Sequence, residues 1–351
     1  MKIMVMDAPL ALLRALSQRP EIELIVADKE RVVDTCRAAE LRCEYLPYRT
    51  RAKFDLSAIW RLRRGLARLR PDIIHAFQPR SLANSVVASA GLKPRPRIVS
   101  FRGIETTPHY LDPANHVTFL SPRVELHACE SNAVRDGLVR GGVSAEKCVT
   151  VYNCVQPEYP RPGRPALSEF GIPEDAFVVG TIATIRPVKG IDILLDAATR
   201  CGSLPNTYFL LMGEIRDPRV QEMIFDPRIR ERVRVTGNRT DAVSLISGAD
   251  LFVMPSRQEG LCRALLEAMT QGVCPVVSSA GGMKEVVRDG IDGVVFPKED
   301  PDALAGVIQQ LHGRRELIQT YAASARQRVV EMCSAERMCE RTLTIYRRLA
   351  A

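Results

Sequence analysis

Short apolar runs of strand type alternate with helix-forming segments along nearly the whole chain, and few folds accommodate that alternation. In the first half the strand-type runs fall at 2–6, 22–27, 42–46, 72–77, 97–101, 124–129 and 147–152. Stretches between them, such as 10–16, 81–90 and 132–140, carry apolar residues at helical spacing. The pattern restarts with strands at 176–183, 207–212, 232–236, 250–254, 273–277 and 293–296. Helices are predicted after them at 190–200, 241–247, 263–271, 283–288 and 302–311. Strand–helix–strand repetition calls for parallel sheets covered on both faces, which is why the strands are apolar throughout.

The alternation breaks once. Pro157, Pro160, Pro162, Pro165 and Pro173, with Gly163 and Gly171, are too dense for the interior of any element. At 351 residues the chain also exceeds one ordinary core. The expected organisation is an α/β first domain over 1–160, a Pro-rich linker over 161–175 and a second α/β domain over 176–334. Two helical segments after Gly313 have no strand between them, so they cannot extend a sheet; the last, 335–351, is expected to cross back to the first domain. The expected architecture is two Rossmann-like, doubly wound domains facing a central cleft.

Composition narrows the function classes. No apolar run approaches the roughly 18 residues that span a bilayer. The opening residues Met1-Lys2-Ile3-Met4-Val5-Met6-Asp7 turn acidic too soon for a signal peptide and read as the first strand. Ten cysteines form no Cys-x-x-Cys pair and no zinc-type cluster, so buried reduced thiols in a cytoplasmic protein are expected. The net charge of +8 calls for an anionic partner. Nothing resembles a helix-turn-helix, zinc finger or RNP stretch, and nucleic acid is not expected.

The chemistry-bearing residues gather at strand ends. Pro255 to Cys262 leaves a buried strand and enters a helix, carrying Glu259 in the loop and Glu267 a turn into the helix. Ligands of α/β sheets bind beyond the carboxyl ends of the strands. Eight residues of helix would span about 12 Å, wider than the ~5–9.5 Å of a glycosidase carboxylate pair. Two acceptors gripping separate hydroxyls of one ligand fit better. Arg186 and Lys189 lie at another strand-to-helix turn, where cations beside a helix N-terminus suit a diphosphate. Alone, each group reads as solvated surface charge. Together with the glycines at Gly213, Gly237 and Gly281-Gly282, which permit close backbone approach, they describe a site.

In order, Gly180-Thr181, Arg186-x-x-Lys189-Gly190, Gly213, Gly237, Asp250-Leu251-Phe252-Val253-Met254-Pro255-Ser256, Glu259-Gly260, Leu266-Glu267-Ala268-Met269 and Gly281-Gly282-Met283-x-Glu285 resemble one family. That family is the retaining GT-B glycosyltransferases of family four, and the likeness runs over 177–311. The first half resembles it through Arg70-Pro71-Asp72-Ile73-Ile74-His75-Ala76. The resemblance implies that Arg186 and Lys189 hold the donor diphosphate as it leaves, and that Glu259 with Gly260, Leu261 and Cys262 holds the transferred sugar. It further implies that Glu267 binds the ribose, that Gly213 lines the donor site, and that Gly237, Asn238 and Arg239 lie near the base. Retention would come from same-face attack assisted by the leaving phosphate. The implied reaction moves a sugar from a UDP- or GDP-sugar to a glycan or lipid-linked acceptor in cell-envelope polysaccharide or glycolipid synthesis, with no cofactor and no essential metal.

Several residues depart from the family or stay open. Relatives commonly carry Gly-Gly after the first strand, where this chain has Asp7-Ala8-Pro9-Leu10, and His-Gly after the fifth, where it has Arg102-Gly103. Cys262 stands where glycine is frequent. His75, Arg102 and Gly103 are candidate acceptor contacts, against a satisfied core histidine and a surface arginine. Asp300-Pro301-Asp302 is read as a helix cap rather than a metal motif. The basic stretch 51–70, with Trp60, suits either an anionic membrane surface on the cytoplasmic face or a solvated helix. The altered acceptor half leaves a catalytically impaired binding subunit, or a sugar-nucleotide epimerase, as alternatives.

Overall fold

A computed structural model describes residues 1–155 and 167–350, and the chain divides into two compact units, 1–154 with 335–351 and 155–334. The first unit is built on seven parallel strands: β1 (Lys2–Met6), β2 (Glu23–Asp28), β3 (Glu44–Pro47), β4 (Ile73–Ala76), β5 (Arg97–Arg102), β6 (Val124–Cys129) and β7 (Cys148–Thr150). Their order is β3-β2-β1-β4-β5-β6-β7. The second unit has six: β8 (Phe177–Ile182), β9 (Thr207–Met212), β10 (Val233–Gly237), β11 (Leu251–Met254), β12 (Cys274–Ser278) and β13 (Val294–Phe296). Their order, β10-β9-β8-β11-β12-β13, is that of a dinucleotide-binding sheet. Both units are therefore Rossmann-like, as expected.

Each sheet is buried on both faces. In the first unit Ile3, Val5, Val26 and Val99 face one core, and Met4, Met6, Ile25 and Ile74 face another. Successive side chains point to opposite faces, so both alternating sets must be apolar. In the second unit Val179, Phe209, Leu211, Val253 and Val276 share a core with Leu194, Leu195 and Ile308 from the covering helices.

Helix ends follow the sequence. Asp55 caps the helix Leu56–Leu69 through the Ala58 amide at 3.0 Å, and Ser131 caps Asn132–Arg140 through Val134 at 3.2 Å. Asp300 accepts from the Ala303 amide at 2.8 Å and caps Pro301–Leu311. The final helix, Ala335–Ala350, belongs to the first unit, where Met338, Cys339, Leu343 and Tyr346 enter the core. Arg19 binds Glu336 and lies 2.7 Å from Glu340 at its start.

Of the expected linker, 161–166 lie outside the described residues, as do 156–160 of the expected first domain. Residues 167–175 belong to the second unit, with Leu167 and Ile172 buried. None of the ten cysteines is in a disulfide, and nine are buried. Among the described residues no helix is long and apolar enough to cross a membrane.

Candidate active site

In the second unit the strand order reverses between β8 and β11, and the two loops leaving those strands carry Lys189 and Glu259. After β8 the chain makes a short turn, Pro187–Lys189, and enters the helix Ile191–Arg200 through Gly190. Gly190 has φ +65°, and a Cβ there would lie 2.1 Å from the Pro255 carbonyl oxygen. Only glycine lets the two loops touch. Lys189 Nζ lies 2.6 Å from Glu259 Oε2, with the two side chains 18% and 14% exposed. Ser256 Oγ donates to the same carboxylate oxygen at 3.2 Å. Arg186 is exposed beside this pair and makes no side-chain hydrogen bond among the described residues.

Backbone packing supports the Glu259 loop. Gly281 has φ +55°, with its missing Cβ 1.8 Å from the Glu259 carbonyl oxygen, and the Gly282 amide donates to the Gly260 carbonyl at 2.9 Å. Ser278 Oγ holds the Ser256 carbonyl at 2.6 Å. Leu261, between Gly260 and Cys262, is fully buried. Cys262 sits at φ +65° ahead of the helix Arg263–Thr270, a left-handed position that favours glycine. Glu267, in the first turns of that helix, pairs with the exposed Arg263 at 2.8 Å.

The glycine ends of β9 and β10 meet next to this site. Gly213, at φ +139°, has no room for a Cβ, which would lie 1.8 Å from the Ala183 carbonyl oxygen, and Gly213 bridges to Gly237. Asn238 Oδ1 accepts from the Glu214 amide at 3.1 Å. Arg239 is held by Asp241 at 2.8 Å and Glu169 at 3.3 Å, over the Phe170 ring.

Arg257 and Asp192 carried no signal in the linear pattern. Arg257 Nη1 and Nη2 grip the carboxylate of Asp192 at 2.8 and 2.7 Å, Nη1 also reaches the Pro187 carbonyl at 2.6 Å, and Nε reaches Glu299. The Arg257 amide donates to Val188 O at 2.9 Å. One residue therefore clamps the Lys189 turn to the Glu259 loop. Burial works to raise the Asp192 carboxyl, but the Arg257 bonds and charge, helped by Arg219, hold it below its ordinary value. The two residues lie 65 positions apart in the chain, so no local window joins them.

Of the first-unit candidates, His75 requires correction. His75 is fully buried on β4, with Nδ1 2.9 Å from the Tyr346 hydroxyl and its ring 4.5 Å from that of Phe77. Burial lowers its pKa to about 3. A neutral histidine sealed under the last helix cannot reach an acceptor; it anchors that helix. Arg102 lies over the Phe119 ring at 4.3 Å and donates to Thr106, and burial lowers its pKa. Gly103 faces Glu130, whose Oε2 would be 2.5 Å from an added Cβ. In the basic stretch, Leu62, Leu66 and Leu69 pack inward, as for a solvated helix, while Phe54, Leu56 and Trp60 are 50%, 80% and 58% exposed.

Comparison with known proteins fits this geometry. Residues 166–328 match the family described as glycosyl transferases group 1, and residues 10–159 match glycosyltransferase family 4. The chain is 30% identical over 221 residues to D-inositol 3-phosphate glycosyltransferase 1 of Catenulispora acidiphila, covering 59% of this chain and 53% of that protein. It is 29% identical over 175 residues to the lipopolysaccharide core biosynthesis glycosyltransferase LpsE of Rhizobium meliloti, covering 49% and 50%. The chain spans about half the length of the curated relatives it matches. In fold it resembles the crystal structure of Anabaena HepE in complex with UDP, with TM-score 0.80 and 20% identity over 99% of this chain and 100% of that one. A glycosyltransferase from Rickettsia africae superposes with TM-score 0.81 at 17% identity, covering 99% and 98%. With the two halves of the family each matched in sequence and the fold matched along the chain, this protein belongs to the GT-B glycosyltransferases of family 4, the glycosyl transferases group 1.

Proposed function

We propose that the chain is a retaining glycosyltransferase that moves a sugar from a UDP- or GDP-sugar to a glycan or lipid-linked acceptor in cell-envelope polysaccharide or glycolipid synthesis. The observation that carries this is the Lys189–Glu259 pair, joined at 2.6 Å across the two loops of the β8–β11 reversal, with Arg186 exposed beside it. Breaking a sugar–diphosphate bond places new negative charge on the leaving phosphate, and fixed cations lower that barrier. Arg186 and Lys189 fill that role. Glu259 and the backbone of Gly260, Leu261 and Cys262 grip the sugar, Glu267 accepts from the ribose, and Gly213, Gly237, Asn238 and Arg239 border the base. Donor entry exchanges the Lys189–Glu259 contact for one from Lys189 to phosphate and one from a sugar hydroxyl to Glu259. The acceptor hydroxyl attacks on the face the phosphate leaves, and the departing phosphate oxygen takes its proton. No metal ion is needed in this scheme.

The solved HepE structures carry UDP and UDP-glucose, which supports a nucleotide-sugar donor here. The relative LpsE supports an envelope glycan product. Phe54, Leu56 and Trp60, exposed among Lys53, Arg61 and Arg64, support attachment to an anionic membrane surface on the cytoplasmic face. A thermal-shift screen against nucleotide sugars identifies the donor, and transfer is then measured with and without EDTA. Glu259→Gln and Lys189→Met are each expected to slow transfer about 10²–10³-fold. Wild-type rates in both variants would remove the assignment, and loss of transfer in EDTA would remove the metal-independent scheme.

A further inference from the structure

The sheet of the first unit also reverses, between β1 and β4, and a cavity of about 440 Å³ opens beyond the ends of its strands. Its walls come from residues that follow β1, β2, β3 and β4. This is the position at which open α/β sheets bind ligands.

Four cations line the cavity: Lys29, Arg49, Lys53 and Arg80. All four are exposed, and none is in a salt bridge among the described residues. The one carboxylate in the lining, Asp7, is at φ +56° and accepts a hydrogen bond from Ser81. Pro79, Arg80 and Ser81 form the first turn of the helix Pro79–Ala88, whose start has no side-chain cap. Its uncapped amides add to the positive potential. A second observation is buried behind the wall. Asn84 is fully buried and donates to the Tyr48 hydroxyl at 2.9 Å and to Thr50 Oγ1 at 2.8 Å, while its own Oδ1 has no partner. Both hydroxyl residues line the cavity, and Thr50 Oγ1 in turn donates to the Ala52 carbonyl at 2.7 Å.

We infer that this cavity holds a phosphate ester on the acceptor, with Lys29, Arg49, Lys53 and Arg80 around the phosphate and Asp7 accepting from a neighbouring hydroxyl. This names the acceptor class and rests on the glycosyltransferase reading above. Four cations against one carboxylate favour an anion, and charge-assisted bonds to phosphate are the strong kind. Asp7 in the same lining selects a phosphate that has a hydroxyl beside it, as in a polyol phosphate, over a bare ion.

The test is calorimetric titration of the full chain at low ionic strength in saturating UDP, which fills any anion site at the donor loops. The probes are glycerol 3-phosphate, inorganic phosphate and glycerol. Glycerol 3-phosphate is expected to bind more tightly than inorganic phosphate, and glycerol not at all. The double variant Lys29→Gln/Arg80→Gln should weaken glycerol 3-phosphate roughly tenfold or more with UDP affinity unchanged. Arg49→Gln/Lys53→Gln is the second variant if the first does not fold. Unchanged glycerol 3-phosphate affinity in the variants, or no saturable binding to the wild type, overturns the inference. Vesicles of phosphatidylcholine with and without phosphatidic acid separate the sources. Binding that needs phosphatidic acid and Lys29 with Arg80 assigns a lipid headgroup; binding of the soluble ester alone assigns a soluble acceptor. A separate UDP titration keeps the two readings apart, since loss of UDP binding removes the donor site without touching the cavity.

Discussion

Replacing Arg257 by Met removes the bidentate ion pair that ties the Glu259 loop to the helix after Lys189. Asp192 is 2% exposed and would lose both hydrogen bonds from Arg257, at 2.8 and 2.7 Å. Removing one member of a buried ion pair costs about 3–5 kcal/mol. Two features reduce that here. The Arg257 side chain is 26% exposed, so solvent already screens the pair, and Arg219 remains 3.0 Å from Asp192. About 2–3 kcal/mol is then expected. For a unit of this size, each kcal/mol lowers Tm by about 2–4 °C, so the second unit should melt roughly 4–12 °C lower. Urea unfolding of Arg257→Met, Asp192→Asn and the double variant closes a cycle, and the coupling should be about 1–2 kcal/mol. The pH dependence has a fixed sign. The Asp192 carboxyl is held below its ordinary value of 3.8. Its stabilisation is therefore complete above that value and lost as pH falls through the lower folded one. Wild type and Arg257→Met should differ at pH 7 and converge in acid. A pH 7 difference under about 0.5 kcal/mol, or a coupling near zero, refutes the clamp.

Gly213→Ala and Gly281→Ala should each cost about 2 kcal/mol or more by urea unfolding, because a Cβ would lie 1.8 Å from a carbonyl oxygen at positive φ. Gly306→Ala, in the helix Pro301–Leu311 with nothing within 4 Å, should stabilise by about 0.5–1 kcal/mol, and the same result at Gly281 would contradict the packing. Burial lowers the pKa of His75 to about 3 and of His127 to about 4, so the unfolded chain takes up protons that the folded one refuses. Stability should fall as pH drops below about 6.5, and His75→Phe/Tyr346→Phe should flatten that limb by up to about 1.4 kcal/mol per pH unit; an unchanged slope would mean that His75 charges while folded.

The strands and the second-unit loops were legible because their signals are local. A strand buried on both faces must be apolar at every position, as the run Leu251–Met254 is, and a window of a few residues contains that fact. The turns at Gly190, Gly213 and Gly281 were marked because a backbone approach with no room for a Cβ tolerates little else. The expected linker was less legible, since proline density does not distinguish a free connection from a chain packed by Leu167 and Ile172.

Residue order by itself therefore determined the two parallel sheets, the family and the strand-end loops that carry Arg186, Lys189 and Glu259. Only the tertiary structure decided what those side chains meet. His75 is capped by Tyr346, 271 residues further on, and so serves the core instead of an acceptor. Asp192 and Arg257 become one clamp because β8 lies beside β11. The first-unit cavity exists because four separate strand ends converge where β1 meets β4. Such contacts depend on strand order, which brings together residues far apart in the chain, and no local pattern records it.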